Sequence, residues 1–304
     1  MSHPLRFQVL SLPKATWPEL RDRFVRLEQL GIEVGAIADH FVDWTNPPSP
    51  WFESWTTLTG LAAATSTIRL TTCVAQIPLR NPAMLARQAM TLDHVSGGRL
   101  EVGLGTGITV DPSYDMIGIP NWSPKERVFR FGEYVQIVRG LLTDEITSFD
   151  GAYYTVTEAI MHPRPLQSPR PPIMVGALGP AMIDLAARYA DIWNSLSFDE
   201  SFDAQMAETR QRVELIERGC ASIDRDPATL RMSYTMFDAT ARPKGGAINY
   251  YDSIDLFEEM VGQITALGIS EISMYYPLDE RQVPMFERIA ADVLPRLRAD
   301  HSAI

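Results

Sequence analysis

Cysteine and histidine are scarce in this sequence of 304 residues. The two cysteines, Cys73 and Cys220, are too few for a disulfide framework or a structural zinc site. The five histidines form neither a His-x-His pair nor a His-Glu-x-x-His motif, so the ligands for metal-dependent hydrolysis are missing. A Gly-x-Ser-x-Gly motif is also absent, which argues against a serine hydrolase. We therefore expect no metal and no serine nucleophile.

The sequence also has fewer basic than acidic residues, and it has no long apolar segment. The chain has 27 Lys and Arg against 38 Asp and Glu, a formal net charge of −11. This balance argues against nucleic acid or an anionic membrane as a partner, because both attract clustered cations. No apolar run approaches the roughly 18 residues of a membrane span, and no basic-then-apolar segment opens the chain. We expect a soluble, cytoplasmic protein.

Short apolar runs and amphipathic helical segments alternate along the whole chain. The runs lie near 7–12, 32–38, 68–78, 99–105, 172–178, 191–196, 230–237 and 269–276. Eight strand–helix pairs predict an α/β fold of the (β/α)8 TIM-barrel type, as one domain over 1–304. A doubly wound sheet is the alternative, but the Gly-x-Gly-x-x-Gly fingerprint that favours it is missing.

Two long segments interrupt this alternation. Residues 145–171, between the fourth helix and the fifth strand, predict a hairpin-like insertion with a turn at Asp150-Gly151, followed by a proline-rich run. Residues 41–51 follow the second strand. This second segment is therefore expected at the C-terminal face of the barrel, where barrel enzymes have their active sites.

The second strand ends in a charged pair, Asp39-His40, with Phe41 and Trp44 just beyond. Histidine is the usual proton donor or acceptor near neutral pH, and a neighbouring carboxylate can fix its tautomer. Because the pair ends a strand at the expected catalytic face, we predict that His40 acts in catalysis and that Asp39 orients it. The alternative is a hydrogen-bonded pair that closes the rim of the barrel.

Glycine-rich segments end the fourth and fifth strands, at 103–107 and 176–179. Glycines let a ligand approach the backbone closely, and free amides before a helix N-terminus bind anions. Tight turns and close barrel packing would use the same residues. Cys73 has no neighbouring base, so we expect it to be a small buried residue rather than a nucleophile. With neither metal nor nucleophile expected, an organic cofactor would carry the chemistry.

These segments resemble the luciferase-like family of flavin- and deazaflavin-dependent oxidoreductases. The most specific block runs from Asn81-Pro82 through Leu92-Asp93 and Ser96-Gly97-Gly98-Arg99 to the glycines at 103–107. Asp39-His40-Phe41, the helix at 127–133 and the insertion at 149–154 match as well. The resemblance covers about residues 7–300 and independently implies the (β/α)8 barrel.

The resemblance also implies where a cofactor would bind. Cys73-Val74 matches a cis peptide in the third strand that supports the central ring of the cofactor. The loops that hold its ribityl phosphate match two segments, Thr106-Gly107-Ile108 and Gly176-Ala177-Leu178-Gly179. Asp39-His40-Phe41 with Trp44 is similar to the branch that uses the deazaflavin coenzyme F-420. There the histidine is the acid–base or ring-contacting residue, and the tryptophan walls the site.

F-420 is favoured over FMN, and it implies hydride transfer without oxygen. A sugar phosphate is not expected, because Ile108 and Thr109 stand where sugar-phosphate dehydrogenases carry a glutamate, and the chain has only three lysines. We predict a small, fairly apolar substrate. The residues predicted to line its pocket are Phe41, Trp51, Tyr114, Met116 and Trp193. The alternative is that several of them are core or interface residues.

Two further functions stay open at this point. An FMN-dependent monooxygenase would share the barrel and would draw reduced cofactor from a separate reductase. A flavin-binding protein without catalysis would keep the glycine loops and lose the chemistry. The resemblance also implies a homodimer that packs outer helices of the barrel.

Overall fold

This computed structural model describes residues 3–241 and 244–302. The strands are β1 Arg6–Ser11, β2 Val34–Ile37, β3 Arg69–Thr72, β4 Ala75–Gln76, β5 Leu100–Gly105, β6 Ile146–Asp150, β7 Thr155–Ile160, β8 Ile173–Gly176, β9 Ile192–Ser195, β10 Arg231–Thr235 and β11 Glu271–Tyr275.

The helices alternate with these strands. They are α1 Trp17–Gln29, α2 Ser54–Ala64, α3 Pro82–Ser96, α4 Ser113–Met116, α5 Pro124–Thr143, α6 Pro180–Tyr189, α7 Phe202–Ala221, α8 Ile254–Thr265, α9 Val283–Arg288 and α10 Leu294–Ser302. A π-helical segment, Ile289–Val293, joins α9 to α10, and short 3-10 helices lie at Ile77–Leu79, Pro227–Thr229, Asn249–Tyr251 and Glu280–Gln282. No helix within 3–241 and 244–302 is long and apolar enough to cross a membrane.

Eight parallel strands close into a barrel. The sheet order is β3-β2-β1-β11-β10-β9-β8-β5, and a further pairing of β3 with β5 completes the ring. Strand β4 continues past β3 along β5, with Ala75 opposite Leu104. Each of the eight predicted apolar runs contains one barrel strand, so the predicted (β/α)8 barrel is confirmed. Strands β2 and β5 are buried along their whole length, as expected where helices cover a parallel sheet.

The chain groups into two compact units. One comprises the described residues of Met1–Ser11, Arg26–Gly35 and Ala177–Ile304, and its largest buried side chains include Trp193, Tyr234, Tyr250, Phe257 and Phe286. The other comprises Leu12–Val25 and Ala36–Gly176, with a core that includes Leu58, Leu85, Leu104, Phe131 and Tyr134. His40 and the residues that contact it lie in the second unit.

The predicted insertion is present as an antiparallel hairpin of β6 and β7, in which Asp150 pairs with Thr155. Its second strand, β7, begins at Thr155. The carboxylate of Glu133 in α5 accepts hydrogen bonds of 2.8–3.0 Å from the amides of Ala152, Tyr153 and Tyr154. Those amides are therefore used to hold the turn against α5.

Candidate active site

The candidate site lies where β2, β4 and β5 end in the second unit. Asp39 and His40 directly follow β2, Gln76 ends β4, and Asp111 stands in the loop after β5. The Cys73 amide donates to the Ile37 carbonyl at 2.9 Å, which fixes the end of β3 beside the end of β2. Parallel strands thus bring together side chains that are up to 71 positions apart in the sequence.

His40 is oriented by Asp111. Its Nδ1 atom lies 2.6 Å from Asp111 Oδ2 and 2.8 Å from Gln76 Nε2. The imidazole ring packs edge-on against Trp51, with ring centroids 5.7 Å apart. The side chain of His40 keeps 17% of its surface exposed, whereas that of Asp111 is fully buried. No hydrogen bond of His40 Nε2 is found within the described residues.

The expectation that Asp39 orients His40 is wrong. Asp39 is buried, and its carboxylate accepts hydrogen bonds from Ser54 Oγ at 2.6 Å, the Gln76 amide at 3.1 Å and two nitrogens of Arg80. Burial alone would lower the pKa of Arg80, but the attraction and hydrogen bonds of Asp39 and Glu53 raise the pKa instead. All of these donors hold the end of β2 to α2 and to the segment before α3.

Asp111 is an anion at neutral pH. Burial alone would raise its pKa, but hydrogen bonds from His40 and Ser113 outweigh that effect and lower the pKa of Asp111 to about 2. The Ser113 amide donates to Oδ1 at 2.8 Å, so each carboxylate oxygen has a donor. The sequence offered one signal for Asp111, namely its place in the loop after β5 on the same barrel face as His40.

A chain of polar contacts runs back from His40 into the protein. Gln76 Nε2 donates to the Asp39 carbonyl at 2.6 Å, and Gln76 Oε1 accepts a short hydrogen bond from the Tyr114 hydroxyl. The Arg127 guanidinium lies 4.7 Å from the centre of the Tyr114 ring and donates to the Thr106 carbonyl at 2.6 Å. Burial raises the pKa of Tyr114, so its hydroxyl stays protonated. Sequence reasoning missed Gln76 and Arg127 as parts of the site.

The wall beside Gln76 fits a planar ring. The Cys73–Val74 peptide is cis, as the resemblance implied, and both residues are half-buried. A Cβ atom at Gly105 would overlap Val74 Cγ2, so glycine in β5 makes room for the Val74 side chain. Within the described residues, no group of three His, Cys, Asp or Glu side chains could hold a metal ion.

The two glycine-rich loops differ in the surroundings of their glycines. Gly107 has φ +72°, a conformation that favours glycine, and a Cβ there would overlap the Tyr114 hydroxyl and Gln76 Oε1. Gly179 is the exposed N-cap of α6 and has no side chain to cap it, so the first amides of α6 are left for an anion. Ala177 is buried; its amide donates to the Asn194 carbonyl and its carbonyl accepts from the Trp193 indole, so the Ala177 backbone is already used within the protein.

The residues predicted to contact substrate fall into two groups. Phe41 and Met116 are each 53% exposed, and Trp44 and Trp51 are half-buried in the 41–51 segment. Tyr114 and Trp193 are fully buried. Neither side chain therefore presents surface to a substrate, contrary to the expectation for both.

Comparisons with known proteins match this chain over most of its length. Residues 1–263 match the family model described as luciferase-like monooxygenase. An F-420-dependent glucose-6-phosphate dehydrogenase of Intrasporangium calvum is 29% identical over 321 aligned residues, covering 92% of this chain and 95% of that protein.

Two solved structures share the fold. An F-420-dependent secondary alcohol dehydrogenase in complex with an F-420–acetone adduct has a TM-score of 0.78 and 17% identity, over 95% of this chain and 99% of that one. The monooxygenase RslO1 from Streptomyces bottropensis has a TM-score of 0.77 and 22% identity, over 96% of this chain and 100% of that one. With most of its length matched by the family model, this chain belongs to the luciferase-like monooxygenase family.

Proposed function

We propose that this protein is an oxidoreductase that transfers a hydride between coenzyme F-420 and a small, fairly apolar organic substrate. The observation that carries the proposal is the His40 imidazole, backed by the ionised Asp111 and lying 2.8 Å from Gln76 Nε2 at the end of β4. The similarity to an F-420-dependent dehydrogenase over nearly the whole chain supports this cofactor ahead of FMN.

When bound, F-420 supplies a ring carbon that accepts or donates a hydride. The Cys73–Val74 peptide would support the ring, and the loops at 106–108 and 176–179 would hold the phosphate. His40 would move the accompanying proton. It takes the proton from a substrate hydroxyl as the substrate carbon that bears this hydroxyl is oxidised, and it returns the proton in the reverse direction. Trp51, which packs edge-on against the ring, limits the access of water to the imidazole, and this strengthens the interactions of the ring.

The surface argues for an apolar substrate rather than a sugar phosphate. The chain has three lysines. Lys14 forms an ion pair with Asp43, and Lys125 lies 5.8 Å from the ring centre of Phe129. The large side chains that stay exposed near the end of β2 and in α4 are Phe41 and Met116, and neither can bind a phosphate. The relative's sugar-phosphate substrate is therefore not transferred to this chain.

A paired titration tests the cofactor. Purified protein is titrated with F-420 and with FMN, each oxidised and reduced, while tryptophan fluorescence is followed. We expect micromolar binding of F-420 and little binding of FMN. Trp51→Phe should lose part of the quenching, whereas Trp17→Phe, on α1, serves as the matched control. Preference for reduced FMN would make the protein a monooxygenase that depends on a separate reductase, and binding of neither would indicate a non-catalytic protein.

A further inference from the structure

Two groups next to His40 Nδ1 compete to decide whether this nitrogen carries a proton. Asp111 Oδ2 at 2.6 Å is an acceptor, and Gln76 Nε2 at 2.8 Å is a donor. A single Nδ1 atom of a neutral imidazole either donates to the carboxylate or accepts from the amide. The first choice leaves the lone pair on Nε2, and the second places the proton there.

The amide of Gln76 has no need of His40 as an acceptor. Its two N–H groups point to the Asp39 carbonyl at 2.6 Å and to Asp111 Oδ2 at 3.3 Å, while Oε1 accepts from the Tyr114 hydroxyl. A flipped amide would set Oε1 against those two acceptors, which is unfavourable in a buried site. Tyr114, fully buried under Arg127, therefore fixes the amide in one orientation.

The carboxylate, in contrast, needs a donor. Asp111 has a side chain with no exposed surface and is ionised at neutral pH. A nitrogen lone pair at 2.6 Å from a buried carboxylate oxygen would be strongly repulsive, whereas an N–H donor makes a charge-assisted hydrogen bond. The carboxylate thus favours a proton on Nδ1, and the amide, whose N–H groups have other acceptors, does not require a lone pair there.

We infer that Asp111 is a positioning residue that holds neutral His40 as the Nδ1–H tautomer, while the Gln76 amide, held by Tyr114, donates to other acceptors. The inference rests on the proposed function for its consequence, which is that Nε2 is the atom that takes the substrate proton. Asp111 also stabilises the imidazolium that results, without itself accepting the proton. Arg127 links this arrangement to the cofactor loop, because it contacts both Tyr114 and the Thr106 carbonyl.

Nitrogen NMR of the protein without cofactor tests the tautomer directly. The chain has five histidines, and His40→Gln identifies the His40 signals by their loss. At about pH 9, where imidazoles are neutral, we expect a pyrrole-type Nδ1 and a pyridine-type Nε2 for His40. Asp111→Asn should shift His40 to the Nε2–H form or to a mixture, and Asp111→Glu should restore the original pattern. Asp115→Asn, an exposed aspartate on α4, is the matched control and should change nothing.

The outcomes separate this inference from the proposed function. A pyrrole-type Nε2 in the unaltered protein overturns the assignment, as does an unchanged His40 pattern in Asp111→Asn. Tyr114→Phe should keep the Nδ1–H pattern, because Asp111 still accepts from Nδ1. A change to the Nε2–H form in that variant would show that the amide, not the carboxylate, sets the tautomer. The same variants are titrated with F-420, and all of them should still bind it. Failure of F-420 to bind the unaltered protein would contradict the proposed function while leaving the tautomer result standing.

Discussion

Asp39 and Asp111 are two buried carboxylates in one site, and they differ in the cation that they face. Asp39 pairs with Arg80, which stays charged at every physiological pH, so this pair can only hold structure. Asp111 pairs with His40, whose imidazole can act as a neutral base or as a cation. The comparison shows that the partner of a buried carboxylate, more than its burial, decides whether the pair can take part in proton transfer.

The largest effect, on turnover, is expected from replacing His40, the partner of Asp111. His40→Ala should lower F-420-dependent turnover by about 10²–10⁴-fold, because general acid–base catalysis contributes that much. Binding of F-420, followed by fluorescence, should remain close to that of the unaltered protein. Unchanged turnover would show that His40 does not move the proton.

Replacing Arg80, the permanently charged partner of Asp39, should instead destabilise the fold. Arg80→Met leaves the Asp39 carboxylate buried with only Ser54 and the Gln76 amide, and we expect a loss of about 3 kcal/mol in the free energy of unfolding. Urea denaturation measures it. Arg21→Met is the control, because Arg21 and Asp22 form an exposed ion pair and the loss should stay below about 0.5 kcal/mol. Equal losses in the two variants would contradict the structural role of Arg80.

Asp111→Asn should show a pH-dependent loss of stability. The pKa of Asp111 is lowered to about 2 in the folded protein, below its ordinary value, so its contribution is present above about pH 4 and is lost as the pH falls toward 2. Asp111→Asn should thus be less stable than the unaltered protein by on the order of 1–2 kcal/mol at pH 7. Denaturation curves at several pH values should show this gap narrowing below pH 4, and a gap independent of pH would argue against the lowered pKa.

Glu133 adds a third kind of carboxylate, one that accepts hydrogen bonds from three backbone amides. Glu133→Gln keeps one oxygen acceptor and loses the charge, so the turn of the hairpin should be weakened by about 1 kcal/mol. Hydrogen exchange of the amides of residues 152–154 measures the effect. F-420 binding should not change, and a large loss of binding would show that the hairpin contributes to the site.

The sequence predicted the fold well because its signals are local. Apolar runs of strand length recur eight times, and each became a barrel strand. The cis peptide at Cys73–Val74 and the hairpin at 146–160 were also anticipated, the first through the resemblance and the second through its turn at Asp150-Gly151.

The contacts of the site could not be assigned in the same way. Asp39 adjoins His40 in the chain, yet successive residues at the end of a strand point to different sides, and Asp39 turned to Arg80. Asp111 reaches His40 from 71 positions away through a loop whose path local propensity does not determine. Tyr114 looked like a pocket residue because it is aromatic, but its burial behind Gln76 depends on Arg127 in a helix further along the chain.

The sequence by itself therefore determined the order of strands and helices, the barrel they form and the strand ends that carry the chemistry, since hydrophobic periodicity and glycine positions act over a few residues. Only the tertiary structure decided which carboxylate faces His40. That choice depends on which loops meet at the strand ends and on which donors are already bonded to another group, and both follow from packing across the whole of the second unit.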